Sequence, residues 1–146
     1  MTKNINLIRS TTLIKSLSGE DILTNLKSGK FKVTSYKKSS VVHFDGERCS
    51  KLEIILSGKV VVDRIGESGN LLTISAFYKD DILGGNLLFS KSPYYPMTVS
   101  TQLPTDILEI DKEALFELFC NNPSFLRTYL ELTSDRAFIL GDKIKH

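Results

Sequence analysis

Histidine and cysteine are scarce in this chain, with two of each among 146 residues. The cysteines, Cys49 and Cys120, lie far apart and match no metal-ligand spacing. An iron–sulfur cluster would need about four cysteine ligands. Thiols this sparse fit a reducing, cytoplasmic setting. Long apolar runs are missing as well: the longest, Ala137–Leu140, is far short of the roughly 20 residues of a membrane span. No apolar stretch follows Met1, so no secretory signal is expected. Nor is there an excess of one charge. Nineteen Lys and Arg against 17 Asp and Glu leave +2, too little to argue for nucleic acid or a membrane surface. Lys27, Lys30, Lys32, Lys37 and Lys38 do cluster, and read as a solvated strand face.

What is present is an ordinary globular composition, 41% hydrophobic and 25% charged. The length fits one domain that buries roughly two-thirds of its unfolded surface. Ser18-Gly19-Glu20-Asp21 has the form of a capping box, and Gly29 is placed to end the short helix it starts. From Lys30 the apolar period becomes that of strands. The segments at Phe31 and Val33, Ser40–Phe44, Leu52–Leu56, Lys59–Ile65, Leu71–Tyr78, Met97–Ser100 and Ile107–Ile110 alternate with turn signals such as Asp45-Gly46 and Ser57-Gly58. Short strands at such spacing predict a sandwich or barrel.

At Asp111 the pattern turns helical. Asp111 can cap a helix carrying Ala114, Leu115, Leu118 and Phe119 on one face. Asn122-Pro123 then opens a second helix, expected to run to about Ile144. On it Leu126, Leu130, Thr133, Ala137, Leu140 and Ile144 repeat four and three apart, a heptad seam that predicts a helix-mediated homodimer. A neighbouring stripe of Phe125, Tyr129, Leu132 and Ile139 would pack on the chain's own β domain. The expected division is residues 1–122 as the β domain with short helices and residues 123–146 as the dimerisation helix.

One stretch interrupts the strands. Asp80–Thr101 contains Gly84-Gly85 followed by Asn86-Leu87-Leu88-Phe89, long enough for about one helical turn with free N–H groups for an anion. Together with Gly46-Glu47-Arg48-Cys49 and the corner Ile54-Ile55-Leu56-Ser57-Gly58-Lys59-Val60-Val61-Val62, this cassette resembles the sensor domain of the Crp/Fnr family of bacterial transcription regulators, related to cyclic-nucleotide-binding domains. The resemblance extends from about Lys30 to Ile144. It implies a mainly β fold, a double-stranded β-helix or jelly roll, flanked by helices and followed by a long C-terminal dimerisation helix. It also implies an effector held between barrel and helix, and a DNA-binding helix-turn-helix. Only Lys145 and His146 follow Ile144, so contact with DNA is expected only through a domain outside this sequence.

In nucleotide-binding relatives an acid follows the cassette glycine to take the ribose, and an arginine about ten residues on pairs with the phosphate. Here Gly85 stands at the first position and Tyr94-Tyr95-Pro96 at the second. The resemblance thus implies an unidentified effector other than a cyclic nucleotide bound in the usual way. The candidate site is Gly84, Gly85, Asn86, Leu87, Tyr94, Tyr95 and Met97, faced by Thr133, Ser134 and Ala137 from the helix. Its chemistry suits a small hydrophobic or aromatic molecule. No metal, cofactor or catalytic residue is expected. Three alternatives stay open. In one, Tyr94, Tyr95 and Met97 fill the core of a ligand-free dimerising module. His43-Phe44-Asp45 has the His-x-Asp form that opens the iron site of jelly-roll oxygenases, but the second histidine would have to be His146. Cys49 beside Arg48 could be an activated thiol, although an inert cysteine is the simpler reading.

Overall fold

The computed structural model describes residues 2–144, and the side chains of residues 5–135. Its elements in chain order are α1 (Thr2–Ser10), a short 3-10 turn (Ile14–Ser16), α2 (Gly19–Ser28), β1 (Phe31–Tyr36), β2 (Val41–His43), β3 (Lys51–Ser57), β4 (Val60–Ile65), β5 (Leu71–Phe77), β6 (Ile82–Leu83), β7 (Thr98–Thr101), β8 (Thr105–Asp111), α3 (Lys112–Asn121) and α4 (Pro123–Ile144). The strands form two four-stranded sheets, ordered β1-β8-β3-β6 and β2-β7-β4-β5. All their pairings are antiparallel. This is a mainly β, jelly-roll-like fold with flanking helices.

The helix ends follow from local chemistry. Ser18 accepts a hydrogen bond from the Asp21 N–H at 3.1 Å, and Gly29 closes α2 in a left-handed conformation, φ 81°. Asp111 accepts from the N–H groups of Glu113 and Ala114 to start α3. Gly58, at the corner between β3 and β4, has φ 104°, and a Cβ there would lie 2.6 Å from the Pro104 carbonyl oxygen. Only glycine fits that corner.

β3 organises the core because both its faces are covered: Leu52 through Leu56 are all buried. Leu52 and Ile54 stand opposite Ile110 and Leu108 of β8, on the face shared with Phe31. Glu53 and Ile55 stand opposite Glu109 and Ile107 on the other face. Glu53 bonds to His43 of the second sheet, so this second face is the barrel interior and the first lies under the helices.

Besides the two-residue β6, which lies inside the expected cassette, two features differ from the sequence-based expectation. No element was expected before Ser18, yet α1 and the 3-10 turn bury Ile8, Leu13 and Ile14. The apolar spacings of this segment, Ile5 to Ile8 and then Leu13 and Ile14 to Leu17, each cover about one turn, too short to announce an element. Thr12 then ties it to the barrel, donating from its N–H and its hydroxyl to the two oxygens of Asp80, at 2.8 and 2.5 Å. The second difference concerns the cassette. Residues 85–89 form turns that amount to a single helical turn and nothing longer: the N–H groups of Leu87 and Leu88 both donate to the Gly84 carbonyl, at 3.1 and 2.9 Å. Those two donors are therefore spent internally and cannot cradle an anion.

Candidate functional site

The cassette leaves β6 at Leu83 and meets α4 directly. A Cβ on Gly85 would fall 2.7 Å from Cγ2 of Thr133 and 3.1 Å from Cγ2 of Ile82. The position that bears the acid in nucleotide-binding relatives is thus filled by the packing of α4. The Tyr129 hydroxyl donates to the Gly85 carbonyl at 2.5 Å, and Phe125 and Tyr129 are buried in the core. Burial pushes the Tyr129 phenol up to about 12. Phe89, at the far end of the cassette, meets the Tyr129 ring edge-on with centroids 6.4 Å apart.

Beside this joint lies a cavity of about 100 Å³ lined by Phe77, Asp80, Asp81, Ile82, Gly84, Gly85, Asn86, Leu132 and Thr133. It brings together four residues of the sequence-derived site: Gly84, Gly85, Asn86 and Thr133. The others lie elsewhere. Leu87 is half-buried against the core, and Met97 is half-buried just before β7. Tyr94 is exposed and bridges to Arg48, and Ser134 is exposed on α4. The side chain of Ala137 falls outside the described residues. Five wall residues were not foreseen as such: Phe77, Asp80, Asp81 and Ile82 precede the glycines, and Leu132 belongs to the stripe expected to pack on the barrel.

Tyr95, at the position of the phosphate-binding arginine, points into the barrel. Its ring stacks on His43, with centroids 4.1 Å apart and planes within 11°. Its hydroxyl lies 3.5 Å from Oε1 of Glu53. A Cβ on Gly84 would sit 3.1 Å from that same hydroxyl and 3.0 Å from the Cys49 sulfur. His43 bonds through Nδ1 to Glu47 and through Nε2 to Glu53. Burial alone pushes the His43 imidazole down, but the hydrogen bonds and charges of Glu53 and Glu47 outweigh it and hold the group above its ordinary 6.5. Burial, then the Glu53 charge, pushes the Tyr95 phenol upward. The same causes, followed by Glu109 and Glu47, raise Tyr36 on β1 to about 12.

This polar cluster was missed by the sequence reading, which took His43 for a plain strand residue. The available signal was Glu53, a charged side chain in the middle of the apolar run Leu52–Leu56. A buried carboxylate requires a partner, and His43 provides it. The geometry also revises two alternatives. His43 and Asp45 share no site, since Asp45 is exposed and both ring nitrogens of His43 are taken by glutamates. Among the described residues no group of three or more His, Cys, Asp or Glu is arranged to hold a metal ion. Arg48 is exposed whereas Cys49 is buried, and burial is the chief cause that pushes the thiol up rather than activating it.

The heptad seam on α4 divides. Leu130 is 53% exposed and Leu126 half-buried, whereas Thr133 turns inward onto Gly85. Thr133 therefore belongs to the cassette joint and not to an outward seam. The side chains of Ala137, Leu140 and Ile144 lie outside the described residues. No helix among the described residues is long and apolar enough to cross a membrane.

Solved structures share this architecture. The sensor domain of the transcriptional regulator DNR from Pseudomonas aeruginosa superposes with a TM-score of 0.74 at 19% identity, covering 99% of this chain and 93% of that one. Against the DNR structure itself the chain covers 63% of that protein. A transcriptional regulator from Thermotoga maritima gives a TM-score of 0.72 at 24% identity, with 82% of this chain and 94% of that one covered. The N-terminal domain of a transcriptional regulator from Streptomyces coelicolor gives 0.67 at 14% identity, with 94% of each chain covered. No curated protein sequence matches significantly. The model of the cyclic nucleotide-binding domain matches residues 33–122, which span the barrel, the cassette and α3, and the chain belongs to that family.

Proposed function

We propose that this chain is the effector-sensing and dimerisation part of a Crp/Fnr-type transcription regulator, non-enzymatic and cytoplasmic, whose effector is not a cyclic nucleotide bound in the usual way. The observation that carries the reading is the joint at Gly85, where the cassette and α4 close directly on each other beside a small cavity. About 100 Å³ is far below the roughly 300–1,000 Å³ of ligand pockets. The site is shut in this state, and an effector enters as α4 lifts from the cassette. Cyclic nucleotides are disfavoured on two counts. Thr133 occupies the space beside Gly85, and among the described residues the cavity walls carry two carboxylates, Asp80 and Asp81, and no cation.

Residues 123–146 then act as the element that reads the joint. With Leu130 outward and Phe125 and Tyr129 inward, α4 has one stripe for a second copy and one for its own barrel. In a two-fold dimer a small displacement of α4 is the kind of change that such a regulator passes to its DNA-binding part.

Two measurements test this. A thermal-shift screen of small hydrophobic and aromatic molecules should yield a stabilising ligand whose effect is lost in Gly85→Leu, while cyclic AMP gives no shift. A shift with cyclic AMP, or no hit across the screen, counts against the sensing reading. Sedimentation should give a dimer for the wild type and a monomer for Leu130→Glu. A wild-type monomer or an unchanged dimer rejects the assigned seam.

A further inference from the structure

His43 sits where two chains of contact meet. Across it are Glu53, fully buried, and Glu47, whose side chain is 40% exposed. Both ring nitrogens face carboxylate oxygens. A neutral imidazole has one N–H, so one nitrogen would then set its lone pair against a carboxylate. Satisfying both contacts requires the imidazolium, or its equivalent with the extra proton on a glutamate; either way the trio carries one proton more than neutral histidine beside two carboxylates. Glu53 gains little other relief: its Oε1 meets the Tyr95 hydroxyl at 3.5 Å, and its Oε2 has no hydrogen-bond partner among the described residues. Losing the proton would leave a buried carboxylate uncompensated.

The flat face of His43 carries Tyr95, and the Tyr95 hydroxyl lies beneath Gly84. The next residue, Gly85, is held by Tyr129 and Thr133 of α4. The geometry points to a proton-operated latch: the protonated His43–Glu47–Glu53 clamp seats Tyr95 under the cassette, and loss of its proton loosens the hold of the cassette on α4. The latch rests on the reading of that joint as the sensing element, but needs no effector to be measured. Other titratable groups share the interior. Tyr36 of β1 feels Glu53, Glu109 and Glu47; Cys49 lies against Tyr95; and Glu109 of β8 is paired with Lys51 of β3 at 3.0 Å. The tyrosines and the thiol are pushed upward, so they stay neutral where the clamp changes charge.

The sign follows from the raised imidazole. The clamp tightens the joint fully below the ordinary histidine value of 6.5 and loses its effect as pH rises through the value in the closed state. Between those limits the opening equilibrium grows by up to about tenfold per pH unit.

The test pairs NMR titration of the His43 ring with amide hydrogen exchange of residues 84–90 and 125–133, corrected for the intrinsic pH dependence of exchange. The latch requires His43 to titrate above 6.5 and protection at the joint to fall with the same midpoint. Glu47→Gln removes the exposed carboxylate and leaves the buried pair, so both midpoints should move down together. His43→Gln, where it folds, should abolish the pH dependence; where it does not, Glu47→Gln carries the test alone. Protection that ignores pH, or that keeps its midpoint while the ring titration moves, overturns the latch. That result would leave the effector reading standing, since the ligand screen tests it separately.

Discussion

Adding one methyl group at the centre of the joint is the sharpest probe of this structure. Gly85 has no unusual backbone requirement, so Gly85→Ala introduces no φ strain and acts only through contact. Its new Cβ would lie 2.7 Å from Thr133 Cγ2 and 3.1 Å from Ile82 Cγ2, with Leu52 Cδ1 at an ordinary 3.8 Å. Thr133 cannot turn freely to make room, because its hydroxyl donates to the Tyr129 carbonyl at 2.9 Å. Overpacking of this kind costs about 1–3 kcal/mol. Thr133→Ser deletes the offending methyl while keeping the hydroxyl, and Ile82 remains as the lesser contact. In that background Gly85→Ala should cost at least about 0.5 kcal/mol less than in the wild type. Urea unfolding followed by far-ultraviolet circular dichroism on the four proteins of the cycle gives the coupling. A coupling indistinguishable from zero would mean that α4 does not rest on Gly85, and with it the description of the joint would fall.

Tyr129→Phe leaves the ring in place but strands the Gly85 carbonyl, and should cost about 1–3 kcal/mol in the same assay. Gly58→Ala combines a φ of 104° with a clash on backbone atoms of Pro104 and Thr105; it should lose about 3 kcal/mol or more, or fail to fold, whereas Gly69→Ala, with open space around its Cβ, should lose clearly less. Tyr36 and Tyr129 titrate at about 12 in the fold against about 10 in an unfolded chain. Their contribution to stability is therefore complete below pH 10 and declines as pH rises toward 12. The urea midpoint should fall across that window, and less steeply in Tyr129→Phe; equal slopes would place the Tyr129 phenol in solvent.

The barrel was legible in the sequence because its strands are short, alternating and separated by turn residues whose backbone demands are local. Gly58, Asp45-Gly46, Ser18 and Asp111 act on their immediate neighbours, so their identity is enough to place corners and caps. Most expected strand segments lie within a residue or two of those observed, and α2 and α3 begin at their expected caps. Gly85 and Tyr95 could also be recognised from their positions in the cassette as departures from the nucleotide-binding pattern. Sequence alone thus determined the class of fold and set the expectation that a cyclic nucleotide is not bound in the usual way.

What surrounds the cassette was decided by tertiary structure, since the partners are distant in sequence. Glu53 meets His43 and Tyr95 only because β2, β3 and the end of the cassette converge on one interior. Tyr129 was expected to face the chain's own β domain and Thr133 both the dimer seam and the cassette, and only the seating of α4 brings the two together on Gly85. The N-terminal segment escaped notice because its apolar spacings, Ile5 to Ile8 and Leu13 and Ile14 to Leu17, are only about a turn long; Ile8, Leu13 and Ile14 are buried because the barrel, tied to Thr12 through Asp80, supplies the surface they cover. Local propensity sets the elements, while the long-range contacts that form the joint and the clamp depend on how those elements converge in space.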